Sequence, residues 1–158
     1  MRIAIILGSQ SDKAVMKKAA DVLRDLDIAF DSRVISAHRN PELLEKTIAE
    51  LEQNGSEVII AGAGLAAHLP GVIASKTLIP VIGVPLASGA LNGVDALYSI
   101  VQMPKSVPVA TVGVDNAANA AYLAAEILGV KYPLLRRKLE ELRAKTKEEL
   151  SQDSVIDL

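Results

Sequence analysis

The sequence predicts a three-layer α/β domain around a five-stranded parallel sheet, and three features predict it. Short runs rich in Val, Ile and Ala recur along the chain, each about a strand in length. Longer stretches between them repeat their apolar residues with the period of a helix. The runs themselves, Ile3–Leu7 first among them, show no polar alternation, as strands do when both faces are covered. Strands that alternate with helices and are buried on both sides select a parallel sheet between helical layers.

Ile3–Leu7 makes the first strand and stops at Gly8. Val15, Ala19, Val22, Leu23 and Leu26 then share one helical face. Ile28–Ile35 makes the second strand. Asn40 caps the next helix and Pro41 opens it; Leu43, Leu44, Ile48 and Leu51 form its apolar side, and Asn54-Gly55 closes it. Glu57–Ala61 is the third strand and runs into a Gly/Ala-rich turn, with a helix starting near Ala66 and carrying Val72, Ile73 and Ala74. Val81–Val84 is the fourth strand, bracketed by Pro80 and Pro85. Asn92-Gly93 precedes a helix over Val94–Val101, Val109–Val114 is the fifth strand, and Asn116–Leu128 is an Ala-rich helix. Pro133 starts a final helix with Leu135, Leu139 and Leu142 on one side and dense Lys, Arg and Glu on the others. This C-terminal helix, about 132–150, therefore reads as peripheral, and the tail Ser151–Leu158 is expected to fray. With no linker, repeat or low-complexity segment, 1–158 reads as a single domain.

Composition narrows the function. Half of the residues are apolar, and the charged 23% crowd into Lys131–Glu149, so the rest is more apolar than an ordinary domain interior needs. That surplus predicts buried subunit interfaces and a homo-oligomer. A net charge of −2, no Trp and a single Phe argue against nucleic acid as a partner. The absence of Cys excludes disulfides, thiolate catalysis and thiolate metal sites, and two His cannot build a multi-His zinc site, so no metal is expected. Met1-Arg2 runs straight into a strand rather than a signal core, and no apolar run approaches the ~20 residues that span a bilayer. The expectation is a cytoplasmic protein that does not engage membranes.

Ligands in such a sheet bind at the carboxyl ends of the strands. That rule nominates Gly8–Asp12, Ser36–Arg39, Gly62–Pro70 and Pro85–Leu91. In Gly8-Ser9-Gln10-Ser11-Asp12, a tight turn with small hydroxyls at a helix start reads as a phosphate cradle of free N–H groups; capping by Ser11 or Asp12 would explain the same residues. Ser36-Ala37-His38-Arg39 places a guanidinium suited to bidentate phosphate binding beside an imidazole suited to acid/base work. The plainer alternative is a capping turn with an incidental His, but a second polar loop facing it favours function. The Gly/Ala-rich segment 62–71 lets backbone approach a flat ligand, with His68 as a ligand contact or a helix cap. Pro85–Gly93, with Ser88 and Gly89, could form a lid or a plain connection.

The ordered set of these pieces resembles the N5-carboxyaminoimidazole ribonucleotide mutase family, also described as the catalytic subunit of phosphoribosylaminoimidazole carboxylase. The matching segments are Gly8-Ser9-x-Ser11-Asp12, Ser36-Ala37-His38-Arg39-x-Pro41, Ala61–Gly71 apart from Leu65, Pro80-Val81-x-Gly83-Val84-Pro85, Ser99–Pro104 and Asn119-Ala120-Ala121. Each is weak alone; in this order, from about Ile3 to Leu128, they are specific. The resemblance implies a flavodoxin-like fold and a homo-octamer with active sites between subunits. It implies conversion of N5-carboxyaminoimidazole ribonucleotide to 4-carboxy-5-aminoimidazole ribonucleotide in purine (IMP) biosynthesis, with no metal or organic cofactor. It also implies a functional link to an ATP-dependent carboxyaminoimidazole ribonucleotide synthase. Carried over by position, His38 is the catalytic acid/base, and Ser9, Ser11, Asp12, Ser36, Ala37 and Arg39 bind substrate. Gly64, Ala66, Ala67, His68 and Leu69 complete the substrate pocket, with His68 near the migrating carboxylate. Asn40 stands where the family commonly has Thr, Leu65 and Ser106 where it has Gly, and 113–119 is shorter than in many members.

Three other readings compete. A direct carboxylase using free carbon dioxide belongs to a branch without the Ala66–Gly71 pattern. A phosphoacceptor domain on the same fold needs an Asp at the end of the third strand, where this chain has Ala61-Gly62. A nucleotide-binding sensor would carry a phosphate loop of a usual kind, which is absent here.

Overall fold

The computed structural model describes residues 1–152. Five strands form one parallel sheet: β1 (Arg2–Leu7), β2 (Ala29–Val34), β3 (Val58–Gly64), β4 (Val81–Leu86) and β5 (Ala110–Thr111). Their spatial order is β2-β1-β3-β4-β5, the flavodoxin-type order with its switch point between β1 and β3. Six helices connect and flank them: α1 (Lys13–Asp25), α2 (Pro41–Gln53), α3 (Leu69–Ala74), α4 (Val94–Val101), α5 (Ala117–Gly129) and α6 (Pro133–Gln152). A 3-10 turn over Gln10–Asp12 leads into α1. Among the described residues no helix is long and apolar enough to cross a membrane.

The central strands are apolar on both faces, and the alternation of their side chains divides the core in two. Ile3, Ile5, Leu7, Val58, Ile60, Ile82 and Val84 face one layer, built by α1, α5 and the start of α6. Ala4, Ile6, Ile59, Ala61 and Val81 face the other, filled by Leu44, Ile48 and Leu51 of α2, Ile73 of α3 and Ile100 of α4. α1 lies close against β3 because position 62 has no side chain: a Cβ on Gly62 would sit 2.4 Å from Met16 Sδ. β2 is the exposed edge, which Arg2–Asp31 and Arg33–Glu50 ion pairs cover with charge. α6 is tied to the domain by Leu135 and Leu139 and by Glu57, which accepts hydrogen bonds from Lys131 Nζ (2.8 Å) and Tyr132 Oη (2.8 Å).

Four boundaries differ from the sequence expectation, each for a local reason. β3 continues through Ala61-Gly62-Ala63-Gly64 rather than ending at Ala61, because its neighbours β1 and β4 keep pairing with it. α3 starts at Leu69, not Ala66: Leu65 is left-handed at φ 55°, and Pro70 fits only the first turn. β4 passes through Pro85 to Leu86; the β5 ladder has ended by then, and on that side the Pro85 carbonyl instead accepts the Asp115 N–H at 2.9 Å. β5 keeps only Ala110–Thr111 of the expected Val109–Val114, since the chain turns at Gly113 and at Asp115, which has φ 57°. Of the tail expected to fray, Ser151 and Gln152 are helical, and residues 153–158 lie outside the described residues.

Candidate active site

The carboxyl ends of β1, β2, β3 and β4 open on one cleft of about 450 Å³. The four segments nominated from the sequence meet there, so the imidazoles, the guanidinium and the Gly8–Asp12 turn share one end of the sheet. A larger groove, about 1070 Å³, lies between α5 and α6, but its lining is mainly aliphatic with scattered charges and holds neither His. Both imidazoles and the hydroxyl-rich turn gather at the smaller cleft.

At the β1 tip, the Gly8 N–H donates to Gly62 O at 3.0 Å and fixes the turn to β3. Ser9 caps the 3-10 turn in a reciprocal capping box: Ser9 Oγ accepts the Ser11 N–H (3.3 Å) and the Asp12 carboxylate accepts the Ser9 N–H (2.9 Å). The Asp12 N–H reaches Ser9 O at 3.2 Å. The free N–H cradle expected here is thus largely committed within the turn itself. The cap is Ser9, with Asp12 as its reciprocal partner, rather than Ser11. The turn offers a ligand its hydroxyls and carboxylate instead. Ser11 Oγ lies 2.9 Å from Ser9 Oγ and 3.2 Å from Asp12 Oδ1, so its one proton has two acceptors. Burial pushes the Asp12 carboxyl above its ordinary value, while the Ser11 hydroxyl and Ser9 N–H pull it back in part.

At the β2 tip, Ser36 Oγ accepts the Arg39 N–H at 3.3 Å and Ser36 O accepts the Asn40 N–H at 3.0 Å. This tight turn projects His38 and Arg39 outward, and both are exposed. Among the described residues the Arg39 guanidinium has neither an ion pair nor a hydrogen bond, so it is available to an anion. Asn40 caps α2, accepting the Leu43 N–H at 3.2 Å, and Pro41 opens the helix.

At the β3 tip, Gly64 lacks a side chain because the space is taken: a Cβ there would lie 2.3 Å from Ser88 Oγ and 3.2 Å from Leu86 O. His68 occupies the N-cap position of α3 but makes no side-chain cap bond. Its ring is committed elsewhere: Nδ1 lies 2.8 Å from His38 Nε2, the rings meeting edge-on at 80° with centroids 4.9 Å apart. One nitrogen donates and the other accepts, so a single proton is shared between two imidazoles from different strand tips.

Of the residues proposed from the sequence, Ser9, Ser11, Asp12, Ser36, Ala37, His38, Arg39, Gly64, Ala66, His68 and Leu69 line the cleft. Ala67 does not. It is 1% exposed and packs into the core beside Ala63, Leu69 and Ile73, because its methyl points inward from the turn before α3. Ser88 lines the cleft as well; it lies in the nominated Pro85–Leu91 segment, just past β4, but carries no individual site assignment from the sequence. Among the described residues no group of three or more His, Cys, Asp or Glu side chains could hold a metal ion.

The sequence profile of the AIR carboxylase family matches residues 2–149. The N5-carboxyaminoimidazole ribonucleotide mutase of Pyrococcus abyssi is 59% identical over 142 residues, covering 90% of this chain and 82% of that protein. The Escherichia coli K12 protein of the same name is 50% identical over 154 residues, covering 96% and 91%. A crystal structure of Treponema denticola PurE superposes with a TM-score of 0.89 at 26% identity, covering 96% of this chain and 95% of that one. With the profile spanning nearly all of the sequence and identities of half or more to these relatives, the chain belongs to the AIR carboxylase family.

Proposed function

We propose that this cleft converts N5-carboxyaminoimidazole ribonucleotide to 4-carboxy-5-aminoimidazole ribonucleotide, a mutase step of purine biosynthesis, with His38 as its acid/base. The observation that carries the reading is the His38–His68 hydrogen bond, formed in the same cleft as a free guanidinium and the Ser9–Asp12 turn. The relatives that share half or more of its residues are named mutases, which favours the carbamate substrate over free carbon dioxide.

Arg39 and the Ser9, Ser11 and Ser36 hydroxyls anchor the phosphate, and Asp12 accepts from ribose hydroxyls. Binding at the phosphate supplies energy for orientation at the ring. His38 donates its proton to the carbamate nitrogen as the C–N bond breaks and carbon dioxide departs. The ring carbon then attacks the retained carbon dioxide, forming the C–C bond and leaving a tetrahedral carbon that still bears its hydrogen. His38, now neutral, removes that proton and the ring regains aromaticity, so the proton account closes on one imidazole. His68, sharing a proton with His38, orients the ring and holds its tautomer. Gly64, Ala66 and Leu69 form an apolar wall that keeps carbon dioxide beside the carbon.

His38, Arg39, Ala66 and His68 are all exposed in a single chain, so one subunit alone cannot keep this cleft dry. Val94, Tyr98 and Val101 form an exposed apolar stripe along α4. These features support a homo-oligomer, an octamer in the family pattern, whose subunits close the cleft. The whole chain then acts as one mutase domain in the cytoplasm, supplied with its labile carbamate by an ATP-dependent synthase.

Replacing His38 by Asn tests the assignment. Turnover should be largely abolished while ribotide affinity stays within about tenfold, ~1.4 kcal/mol. Near-normal turnover in that variant would remove His38 from the reaction.

A further inference from the structure

Ser88 follows β4 and lies in the wall of the cleft. Its Oγ is buried and has no hydrogen-bond partner among the described residues. Native structures rarely leave a buried hydroxyl unpaired, and each instance needs a reason. The hydroxyl rests over Gly64, where a Cβ would approach it to 2.3 Å. The backbone immediately before it is fixed by the Ala87 N–H donating to Asp115 Oδ1 at 2.9 Å. Ser9, Ser11 and Ser36, the other serines of the cleft, all hold protein partners.

Its place in the sheet indicates what it awaits. Arg39 and the serine-rich turn stand over β2 and β1, whereas Ser88 stands over β4, three strand spacings from β2, roughly 14 Å. A ribotide lying across that span with its phosphate at Arg39 directs its ring and carboxylate toward β4. There Gly64 and Leu65 offer no side-chain donor.

We propose that Ser88 is a substrate-positioning residue whose hydroxyl donates a hydrogen bond to the ribotide carboxylate. The proposal rests on the reading of the cleft as a mutase site. In the free chain the Oγ has almost no exposed surface, so it meets the carboxylate by turning about the Cα–Cβ bond from over Gly64 into the cleft; it gives up no protein bond in doing so, and the charge-assisted bond is gained without exchange.

Ser88→Ala, compared with the unaltered protein, tests this. The measurements are thermal melts without ligand, turnover, and calorimetric affinities for 4-carboxy-5-aminoimidazole ribonucleotide and for its uncarboxylated counterpart. The melting temperature should hold or rise, because an unpaired buried hydroxyl is removed. Affinity for the carboxylated ribotide should fall by roughly tenfold or more, and that for the uncarboxylated one by less than about twofold. Equal losses for both ribotides together with a lower melting temperature would mean a structural role and overturn the proposal. Unchanged affinity for both would also overturn it, leaving the hydroxyl to an ordered water. If the unaltered protein itself neither binds nor converts the ribotides, the mutase reading falls and takes this proposal with it, a result that Ser88→Ala alone could not produce.

Discussion

Gly64→Ala is the sharpest single test of how the cleft floor is built. The added methyl would stand 2.3 Å from Ser88 Oγ, 3.3 Å from Ser88 Cβ and 3.2 Å from Leu86 O. Leu86 belongs to β4, which is paired with β3 at this very position, so its carbonyl cannot retreat without opening the ladder. Ser88 must therefore rotate or β3 must shift. Overpacking of this kind costs about 1–3 kcal/mol. For a chain of this length that lowers the melting temperature by roughly 3–10 °C. Much of the clash is with one oxygen, so the penalty should shrink by about 1 kcal/mol when Ser88 is already Ala, against the ~0.5 kcal/mol within which independent sites add. Chemical denaturation of the two single variants and the double variant measures the coupling. Strict additivity would refute the contact between Ser88 and the floor, and a neutral Gly64→Ala would refute the packing account altogether.

Arg39→Ala should raise the Michaelis constant for ribotide by about tenfold or more, with kcat far less affected, if the guanidinium binds the phosphate, a group remote from the reacting carbon; steady-state kinetics with an unchanged Michaelis constant would contradict the phosphate assignment. Tyr132→Phe should cost about 1 kcal/mol at pH 7, or roughly 2–4 °C. Burial is the largest single influence on the Glu57 carboxyl and pushes it up, but hydrogen bonds from Lys131 and Tyr132 together hold it below its ordinary value. A lowered carboxyl stabilises the fold above its unfolded-state value, and that contribution fades as pH falls through the folded-state value. The melting curves of the two proteins should therefore converge under acid; an offset independent of pH would exclude this linkage.

Much of the site was legible because strand ends are legible. Runs such as Ile3–Leu7 and Val81–Val84 are buried on both faces and read as strands without ambiguity. The carboxyl-end rule then nominated all four loops that meet at the cleft. Details set by three-dimensional neighbours were not legible. Whether a Gly/Ala run continues as strand or turns depends on pairing, and pairing carried β3 through Gly64. Ala67 and Ala66 are indistinguishable as residues, yet one faces the core and the other the cleft, because the left-handed Leu65 sets the direction of the turn. The free N–H groups expected at Gly8–Asp12 are instead held by the capping box, which leaves the hydroxyls and the carboxylate to a ligand, and a sequence cannot say whether a turn bonds to a ligand or to itself. The His38–His68 contact joins residues 30 positions apart and needed the sheet order to be seen.

The exposure of that pair bears directly on how the enzyme must work. Carbon dioxide released beside bulk water escapes, and a carboxylation that relies on retention needs the cleft closed. Within one chain Leu65, in the turn that lines the cleft, stands 55% exposed, its strained backbone offset by no burial of its own side chain. A neighbouring subunit laid over this end of the sheet would bury Leu65, His38 and His68 together and supply the missing wall. Assembly and retention of carbon dioxide are then one property. On dilution, specific activity per chain should fall in step with the molecular mass measured by light scattering. The lost turnover should reappear as release of carbon dioxide and uncarboxylated ribotide rather than as slower consumption of the carbamate. A monomeric sample with undiminished mutase activity would show that a single chain keeps its cleft dry, and would refute the coupling.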